Sequence, residues 1–468
     1  MLRGDMRLRG GYILHVDGSC EEGSGVLLVC VDSLSAQVLE SRKIASENHD
    51  EVKSVLSVVR RDWGIPVGIV HDLRKALISA AAEVFPGTPQ FVCHYHLAAD
   101  VGKDILGSHV DRLRRLFRCS KARPKLRTLV RSLKEFATSG DNDEHTVTSI
   151  VEAPSRKQLL EYCTPEAIMG AVHALACWIL AYSHDGKGYG FPFDLPYLDF
   201  YKRIASVHQA LGDANPNWPD RKRGPYGWLT RLREILDMVV TGEYAADFRQ
   251  VVSETERDRR IFERFRSALR ICPTGQGHGR ARACSRDYLS PQRHKATLKE
   301  LRNSLARQAK RDGPTARACS VVVEHLDKYW DMLFGHVRRR GSRKIIVPPT
   351  NNFEEGLLGV VKRQCRRLHG TRDLSRDIEG MSPATPLLLN LRNGEYCETV
   401  FGGQEPEKVA ARFSTIDSRV VARLLKTWRR DKMSTHLSQK LAGLKGLPRQ
   451  VARFLSVAGK HLPADRKA

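Results

Sequence analysis

Residues 12–18 read Tyr-Ile-Leu-His-Val-Asp-Gly, and this stretch decides the fold. An apolar run of this length is typical of a buried β-strand, and it ends in an acidic residue and a glycine. Two further strand-like stretches follow at 26–31 and 37–44 after short polar segments. Their close spacing predicts three strands that are joined by antiparallel hairpin connections.

The pattern then alternates between helix and strand. Apolar residues at helical spacing predict helices over 46–63 and 73–84, and apolar runs predict strands at 65–70 and 90–93. The predicted order β-β-β-α-β-α-β-α indicates an α/β fold with a five-stranded mixed sheet, in which the first strand is central between the second and the fourth. From about 110 to 345, long helical patterns predominate.

Two acidic residues follow the predicted first and fourth strands. Asp17 comes at the end of the first apolar run, and Asp72 at the end of the fourth. If these strands are neighbours, the two carboxylates emerge side by side, where they need a cation for neutralisation. The alternative for each residue alone is that the Asp only begins a turn.

A third acidic residue lies far along the chain, within residues 350–370, which read TNNFEEGLLGVVKRQCRRLHG. Helical spacing places Glu354 on the apolar side of this segment. Glu355 instead shares a face with Gly359 and with a basic ladder at Lys362, Arg363 and Arg366. A metal-binding acid beside phosphate-binding bases suits a nucleic-acid cutting site, and the alternative is an ordinary exposed amphipathic helix.

The charge distribution favours a nucleic-acid partner. The chain has 468 residues and a net charge of +24. Residues 259–345 contain 22 Lys and Arg against 7 Asp and Glu, a net of +15, and residues 406–468 contain 15 against 4, a net of +11. Two such blocks fit a polyanion better than a membrane surface, because no strongly amphipathic terminal helix with aromatic anchors stands out. Solvated helical faces are the alternative.

These motifs together resemble a DDE transposase, and the Mutator-like group with its bacterial relatives is the most similar. The resemblance rests on the Asp17 and Asp72 motifs, on the sequence QFVCHYH at 90–96, and on TNNFEEG at 350–356 with its basic helix. It implies an RNase H-like catalytic core that is interrupted by a large, mainly α-helical insertion. It also implies two-metal-ion DNA strand cleavage and strand transfer.

The resemblance also implies roles for individual residues. Asp17, Asp72 and Glu355 match the three catalytic acids, which would bind two Mg²⁺ or Mn²⁺ ions. Cys93 and His96 match a cysteine–histidine signature, for which a structural role beside the site is expected, as it is for Asn352. We expect phosphate contacts from the basic helix and from the tail, at Lys362, Arg363, Arg366, Arg367, Arg423, Arg429 and Arg430.

The expected organisation has four segments. They are the first part of the core at 1–109, the helical insertion at 110–345, the final part of the core at 346–405 and a basic helical tail at 406–468. Because the first strand begins about ten residues after Met1, we expect the N-terminal DNA-binding region of this group to be lacking.

The expected setting is a bacterial cytoplasm, with the protein on the nucleoid when it binds DNA. Eleven cysteines without a CxxC pair fit a reducing compartment. DNA is the expected partner, a homo-oligomer is possible, and no membrane is involved. Two other functions stay open: a host RNase H-like nuclease, and a transposon-derived DNA-binding protein without catalysis.

Overall fold

The structure is a computed structural model of the whole chain. It describes residues 2–20, 25–137, 150–152, 163–215, 223–271, 291–311, 313–335, 337–340, 343–350, 359–360, 362–367, 374–381, 383, 385–402 and 446–461. By their contacts, the residues form two compact units. The sheet unit comprises 1–102 and 261–429, and the helical unit comprises 103–260 and 430–468.

The sheet unit is built on a five-stranded mixed sheet with the order β3-β2-β1-β4-β5. Its first three strands form an antiparallel meander, and β4 and β5 continue the sheet in parallel with β1. The predicted α/β class, the five strands and the central first strand are confirmed. The strands are β1 (Ile13–Ser19), β2 (Val26–Asp32), β3 (Gln37–Ile44), β4 (Gly68–His71) and β5 (Gln90–Val92).

Helices make up most of the remaining secondary structure. The first helices are α1 (Leu2–Leu8), α2 (His49–Trp63), α3 (Lys75–Val84), α4 (His94–Ser120), α5 (Ala122–Ala137), α6 (Pro165–Leu180), α7 (Pro196–Ala214), α8 (Pro225–Val240) and α9 (Ala245–Ala268). The later helices are α10 (Pro291–Ala309), α11 (Ala316–Tyr329), α12 (Ser375–Gly380), α13 (Gly394–Phe401) and α14 (Leu447–His461), together with 3₁₀ turns at Tyr182–His184, Trp330–Met332 and Thr385–Arg392.

Each face of the sheet is covered by a different part of the sequence. Side chains that alternate along β1, such as Leu14 and Val16, pack on one face with the apolar stripes of α2 and α3. On the opposite face, Ile13 packs with Val70 of β4 and with Ile345 and Val347. A neighbouring cluster on β2 and β3 packs with Met381 and Leu387. Residues after 345 therefore return to one face of a sheet that the first 92 residues complete.

Some local features differ from the sequence-based expectation. Helix α1 was not expected, and neither was the hairpin of β6 (Val337–Arg340) and β7 (Arg343–Ile346). Strand β1 continues through Gly18 to Ser19, past the predicted end at Asp17. The continuation is explained by the antiparallel ladder, because Gly18 and Ser19 still pair with Leu28 and Leu27 of β2.

The helical unit has its own buried core, in which α5 packs against α6 and α8. Helix α14 contributes to this core: Val451 and Leu455 are fully buried, and the Tyr226 hydroxyl donates to the Leu455 carbonyl at 3.2 Å. The end of the predicted basic tail is therefore a packed helix. The four predicted segments, with boundaries at 110, 345 and 405, stay a prediction. None of the helices in the described ranges is long and apolar enough to cross a bilayer.

Candidate active site

The two predicted aspartates lie close to the carboxyl ends of the adjacent parallel strands β1 and β4, Asp17 within β1 and Asp72 directly after β4. The β1–β4 ladder pairs Val16 with His71, so that Asp17 and Asp72 are the next residues on the two strands. Their side chains follow the alternation of Ile13 and Val70, which both pack on the face that also holds Ile345 and Val347. The fold thus brings Asp17 and Asp72 together on one face of the sheet.

Both carboxyls are buried, and this burial shifts their protonation. Asp17 is 8% exposed and Asp72 is 9% exposed. Burial raises the pKa of Asp17 to about 6, against an opposing effect of the Gly18 amide, which donates to Asp17 Oδ1 at 2.9 Å. Burial also raises the pKa of Asp72 to about 6, and repulsion from Asp17 and Asp100 adds to this shift. The pair therefore resists ionisation unless positive charge is supplied.

Arg74 supplies part of that charge. Its backbone amide donates to Asp72 Oδ1 at 2.9 Å, and its Nε lies 3.1 Å from Asp72 Oδ2. The guanidinium also pairs with Glu47, whose side chain is 3% exposed, and it lowers the pKa of Asp17. Arg74 is thus a shared counter-ion for three carboxylates.

Gly18 leaves room for the close approach of the Glu47 side chain. A Cβ atom on residue 18 would overlap the Glu47 carboxylate and would also touch Val26 at 3.0 Å. The glycine after Asp17 therefore makes room for a third acidic side chain at this edge of the sheet, and does not begin a tight turn.

His71 holds the backbone of Asp72 in place. Its Nδ1 donates to the Asp72 carbonyl at 2.6 Å, and its Nε2 accepts from the Gln90 amide at 2.9 Å. Burial lowers the pKa of this histidine, so that the ring is neutral and both nitrogens are used in these bonds. A neutral ring next to Asp72 adds no charge to the site.

Cys93 and His96 have different surroundings. Cys93 is fully buried in the core with Ile13 and Phe91, and its amide donates to the His71 carbonyl at 2.8 Å. His96 is half-buried on α4, and its charge lowers the pKa of Asp72. The cysteine therefore packs beneath the site, whereas the histidine acts electrostatically on one of its acids.

The segment that precedes the predicted third acid comes close to the same edge. The His94 amide donates to the Pro349 carbonyl at 2.8 Å, and Thr350 is buried. Further along, residues 359–360 and 362–367 are helical, with Gly359 buried and Lys362 half-buried. The Lys362 ammonium lowers the pKa of Asp17, whereas Arg363, Arg366 and Arg367 are exposed.

The remaining predicted site residues lie outside the described residues. They are Asn352 and Glu355 before the basic helix, and Arg423, Arg429 and Arg430 in the tail. Within the described ranges, no group of three or more His, Cys, Asp and Glu side chains is arranged to hold a metal ion. The convergence of Glu355 with Asp17 and Asp72 therefore stays a prediction.

Sequence reasoning did not identify Glu47, Arg74 and His71 as parts of this site. Arg74 and His71 could have been found, because they flank Asp72 within two positions. Glu47 gave no local signal, since it lies in the connection before α2 and reaches the site only through the fold.

Replacing Arg74 by Gln is expected to destabilise the metal-free protein in a pH-dependent manner. At pH 8 the buried Glu47 and the aspartate pair lose their counter-ion, at a cost of about 1–2 kcal/mol because Arg74 is half exposed. At pH 5 the loss of stability is smaller, because Asp17 and Asp72, whose pKa is raised to about 6, are largely protonated there. Urea unfolding in EDTA at both pH values measures this. Arg61→Gln removes an exposed ion pair with Asp62 and should change little; an equal loss for Arg74→Gln at both pH values would indicate lost packing instead.

No protein-family model matches the chain, and no curated protein matches it.

Proposed function

We propose that the protein is a metal-dependent phosphoryl-transfer enzyme acting on DNA, a DDE-type transposase of the Mutator-like kind. Asp17, Asp72 and Glu355 are its catalytic acids in this proposal. DNA cleavage and strand transfer use the same site, and no covalent bond forms between the protein and DNA.

The observation that carries the proposal is that a lysine from a distant part of the sequence lies near the buried aspartate pair. Burial raises the pKa of both carboxyls to about 6, so that keeping the pair ionised at neutral pH lowers the stability of the fold. A purely structural role would not require such a pair. Functional sites are where such shifts cluster. Lys362 lies near enough to Asp17 to lower its pKa, although 345 positions separate them.

The aspartate pair fits a divalent cation. Carboxylate oxygens are the ligands that Mg²⁺ and Mn²⁺ prefer, and a cation would remove the repulsion that Asp17 exerts on Asp72. Two such ions, when bound, would activate water or a DNA 3′-hydroxyl and stabilise the leaving oxygen. Glu355 would complete the ligand set.

The chain's own residues orient the reactants. The amides of Gly18 and Arg74 fix the two aspartates by hydrogen bonds, and His71 fixes the backbone of Asp72. Lys362 and the exposed Arg363, Arg366 and Arg367 would bind phosphates near the scissile bond. A positive charge on His96 would favour the ionised form of the Asp72 carboxyl.

The finer fold assignment is part of the proposal: the sheet is RNase H-like, and a helical insertion divides the core. The strand order β3-β2-β1-β4-β5 supports it. The return of Ile345 and Val347 to the acidic face of the sheet supports an interrupted core.

The decisive experiment is a metal-dependent cleavage and joining assay. The purified chain is incubated with labelled DNA containing the ends of its own genetic element, with Mg²⁺, Mn²⁺ or EDTA. Cleavage with joined products in either metal is expected. Cleavage without joining would favour the nuclease, and binding without cleavage would favour the non-catalytic DNA-binding protein.

The tail arginines are expected to contribute phosphate contacts. Changing Arg423, Arg429 and Arg430 together to Gln should reduce the slope of log affinity against log salt by about 2–3. Substitution is preferable to deletion, because α14 belongs to a packed core. Filter-binding titrations at several salt concentrations measure the slope. The matched control changes the exposed Arg7, Arg61 and Arg249 to Gln; an equal change in slope for both triples would remove the special role of the tail.

A further inference from the structure

The strongest local run of positive charge lies within the helical unit, at residues 112–134. This stretch contains ten Lys and Arg and no Asp or Glu. Charge summed over residues 1–258 conceals it, because those residues hold 33 Lys and Arg against 34 Asp and Glu. The run covers the end of α4 and most of α5.

Only a few of these basic side chains have roles within the fold. Arg112 pairs with Glu254 at 2.5 Å, and Arg114 lies 3.3 Å from Asp111. Arg123 lies over the ring of Tyr182. Six more are exposed, and none of these six forms an ion pair with a carboxylate in the described part of the chain: Arg115, Arg118, Lys121, Lys125, Arg127 and Arg131.

A groove beside these residues runs between α5 and α8, with a volume of about 410 Å³. We call it the α5–α8 groove. Lys121 and Lys125 line one side, and Trp228 and Arg231 line the other. Arg231 Cζ lies 4.7 Å from the centre of the Trp228 ring, and Glu234 is the one acidic residue among the described residues that line the groove. The groove therefore combines a partly exposed indole with three cations.

The apolar side of α5 is not available to a membrane. Leu126, Leu129 and Leu133 are buried in the core that α5 forms with α6 and α8. Only the basic side of the helix faces outward, and a helix that binds a bilayer needs its apolar side exposed. An anionic polymer is thus the fitting partner.

The Trp228 ring favours nucleic acid over other anionic polymers. A flat indole with an adjacent guanidinium stacks well on a nucleobase, and a positively charged groove follows a phosphate backbone. We propose that the α5–α8 groove binds single-stranded nucleic acid, with a base stacked on Trp228 and phosphates on Lys121, Lys125 and Arg231. This binding is independent of cleavage at the aspartate pair.

The test uses the full chain and fluorescence anisotropy with a labelled 20-nucleotide oligothymidine and a 20-base-pair duplex. Trp228→Ala should weaken binding of the single strand roughly 5- to 100-fold and leave duplex binding nearly unchanged. Trp228→Phe should retain most of the affinity, because a stacking ring remains. Comparable thermal unfolding of the three proteins ensures that the variants are folded.

The phosphate contacts have a separate readout. Lys121→Gln with Lys125→Gln should reduce the salt slope for the single strand by roughly 1.4. The matched control, Arg233→Gln with Arg260→Gln, removes two charges of the same unit that do not line the groove. The proposal is overturned if Trp228→Ala binds the single strand normally, if single strand and duplex weaken alike, or if the control pair has the same effect. Equally strong, Trp228-dependent binding to phosphatidylserine vesicles would also overturn it.

Discussion

Replacing Asp17 by Asn is expected to abolish DNA cleavage and, at the same time, to stabilise the metal-free protein at neutral pH. The loss of activity should be at least about 10³-fold, because several kcal/mol of transition-state stabilisation depend on the metal that this carboxylate would hold. The gain in stability follows from burial, which raises the pKa of Asp17 from 3.8 to about 6.

The size of the stability change depends on pH. Below pH 3.8 the carboxyl is protonated in the folded and the unfolded chain, and it costs nothing. Between pH 3.8 and about 6 the unfolded chain releases its proton first, so that folding stability falls as the pH rises. Above pH 6 the buried carboxylate lowers the free energy of unfolding by the full amount, which is on the order of 2–3 kcal/mol. The neutral amide avoids it.

Asp32 offers a matched control on the same sheet. It is also a buried aspartate, but its two oxygens accept hydrogen bonds from the amides of Ile13, Leu34 and Ser35 and from the Ser35 hydroxyl. Burial raises the pKa of Asp32 too, so its amide variant also avoids part of the cost of a buried charge. An amide nitrogen cannot accept these several bonds, however, and we expect their loss to outweigh that gain, so that Asp32→Asn destabilises the protein by about 1–3 kcal/mol.

Urea unfolding in EDTA at pH 4 and pH 8 distinguishes the two substitutions. Asp17→Asn should exceed the wild type in stability at pH 8 and match it at pH 4. In a separate experiment at pH 8 without EDTA, added Mg²⁺ should stabilise the wild type but not the variant. A less stable Asp17→Asn protein at pH 8 would mean that the carboxylate has a structural role, and would count against a metal site.

The sequence was sufficient for the sheet because its signals are local. Apolar runs at 12–16 and 26–31 must be buried, and short connections leave few pairings other than hairpins. The same reasoning placed Asp17 and Asp72 at neighbouring strand ends, because the order of strands fixes which ends are adjacent. The end of β1 was misplaced, since its last residues are held by β2 rather than by their own pattern.

The electrostatic surroundings of the acids could not be predicted in this way. Glu47 reaches the site because Gly18 leaves space for its carboxylate, and Arg74 links it to Asp72. These contacts depend on how the loop before α2 packs, and the periodic pattern of apolar residues does not predict the packing of a loop. The groove beside Trp228 depends likewise on the packing of two helices that are about a hundred residues apart in sequence.

Replacing Glu355 by Gln is expected to eliminate cleavage while DNA binding persists. Glu355 is four residues before Gly359 and seven before Lys362, and this spacing predicts that the three share one side of a helix. Gly359 is buried and Lys362 lowers the pKa of Asp17, so we expect that side to face the aspartate pair. The substitution removes a metal-binding charge and no basic contact. Cleavage should fall at least about 10³-fold.

Glu354→Gln is the matched control, since it removes the same charge one residue earlier. Because one residue turns a helix by about 100°, helical spacing predicts that Glu354 shares a side with Leu358 and Val361 instead. We expect this variant to cleave within a few-fold of the wild type and to bind DNA equally well. Cleavage lost with Glu354→Gln but retained with Glu355→Gln would shift the assignment of the third acid by one residue. Full activity in both variants would leave the aspartate pair without an acidic partner from this helix, and the transposase assignment would then fail even though Asp17 and Asp72 are adjacent.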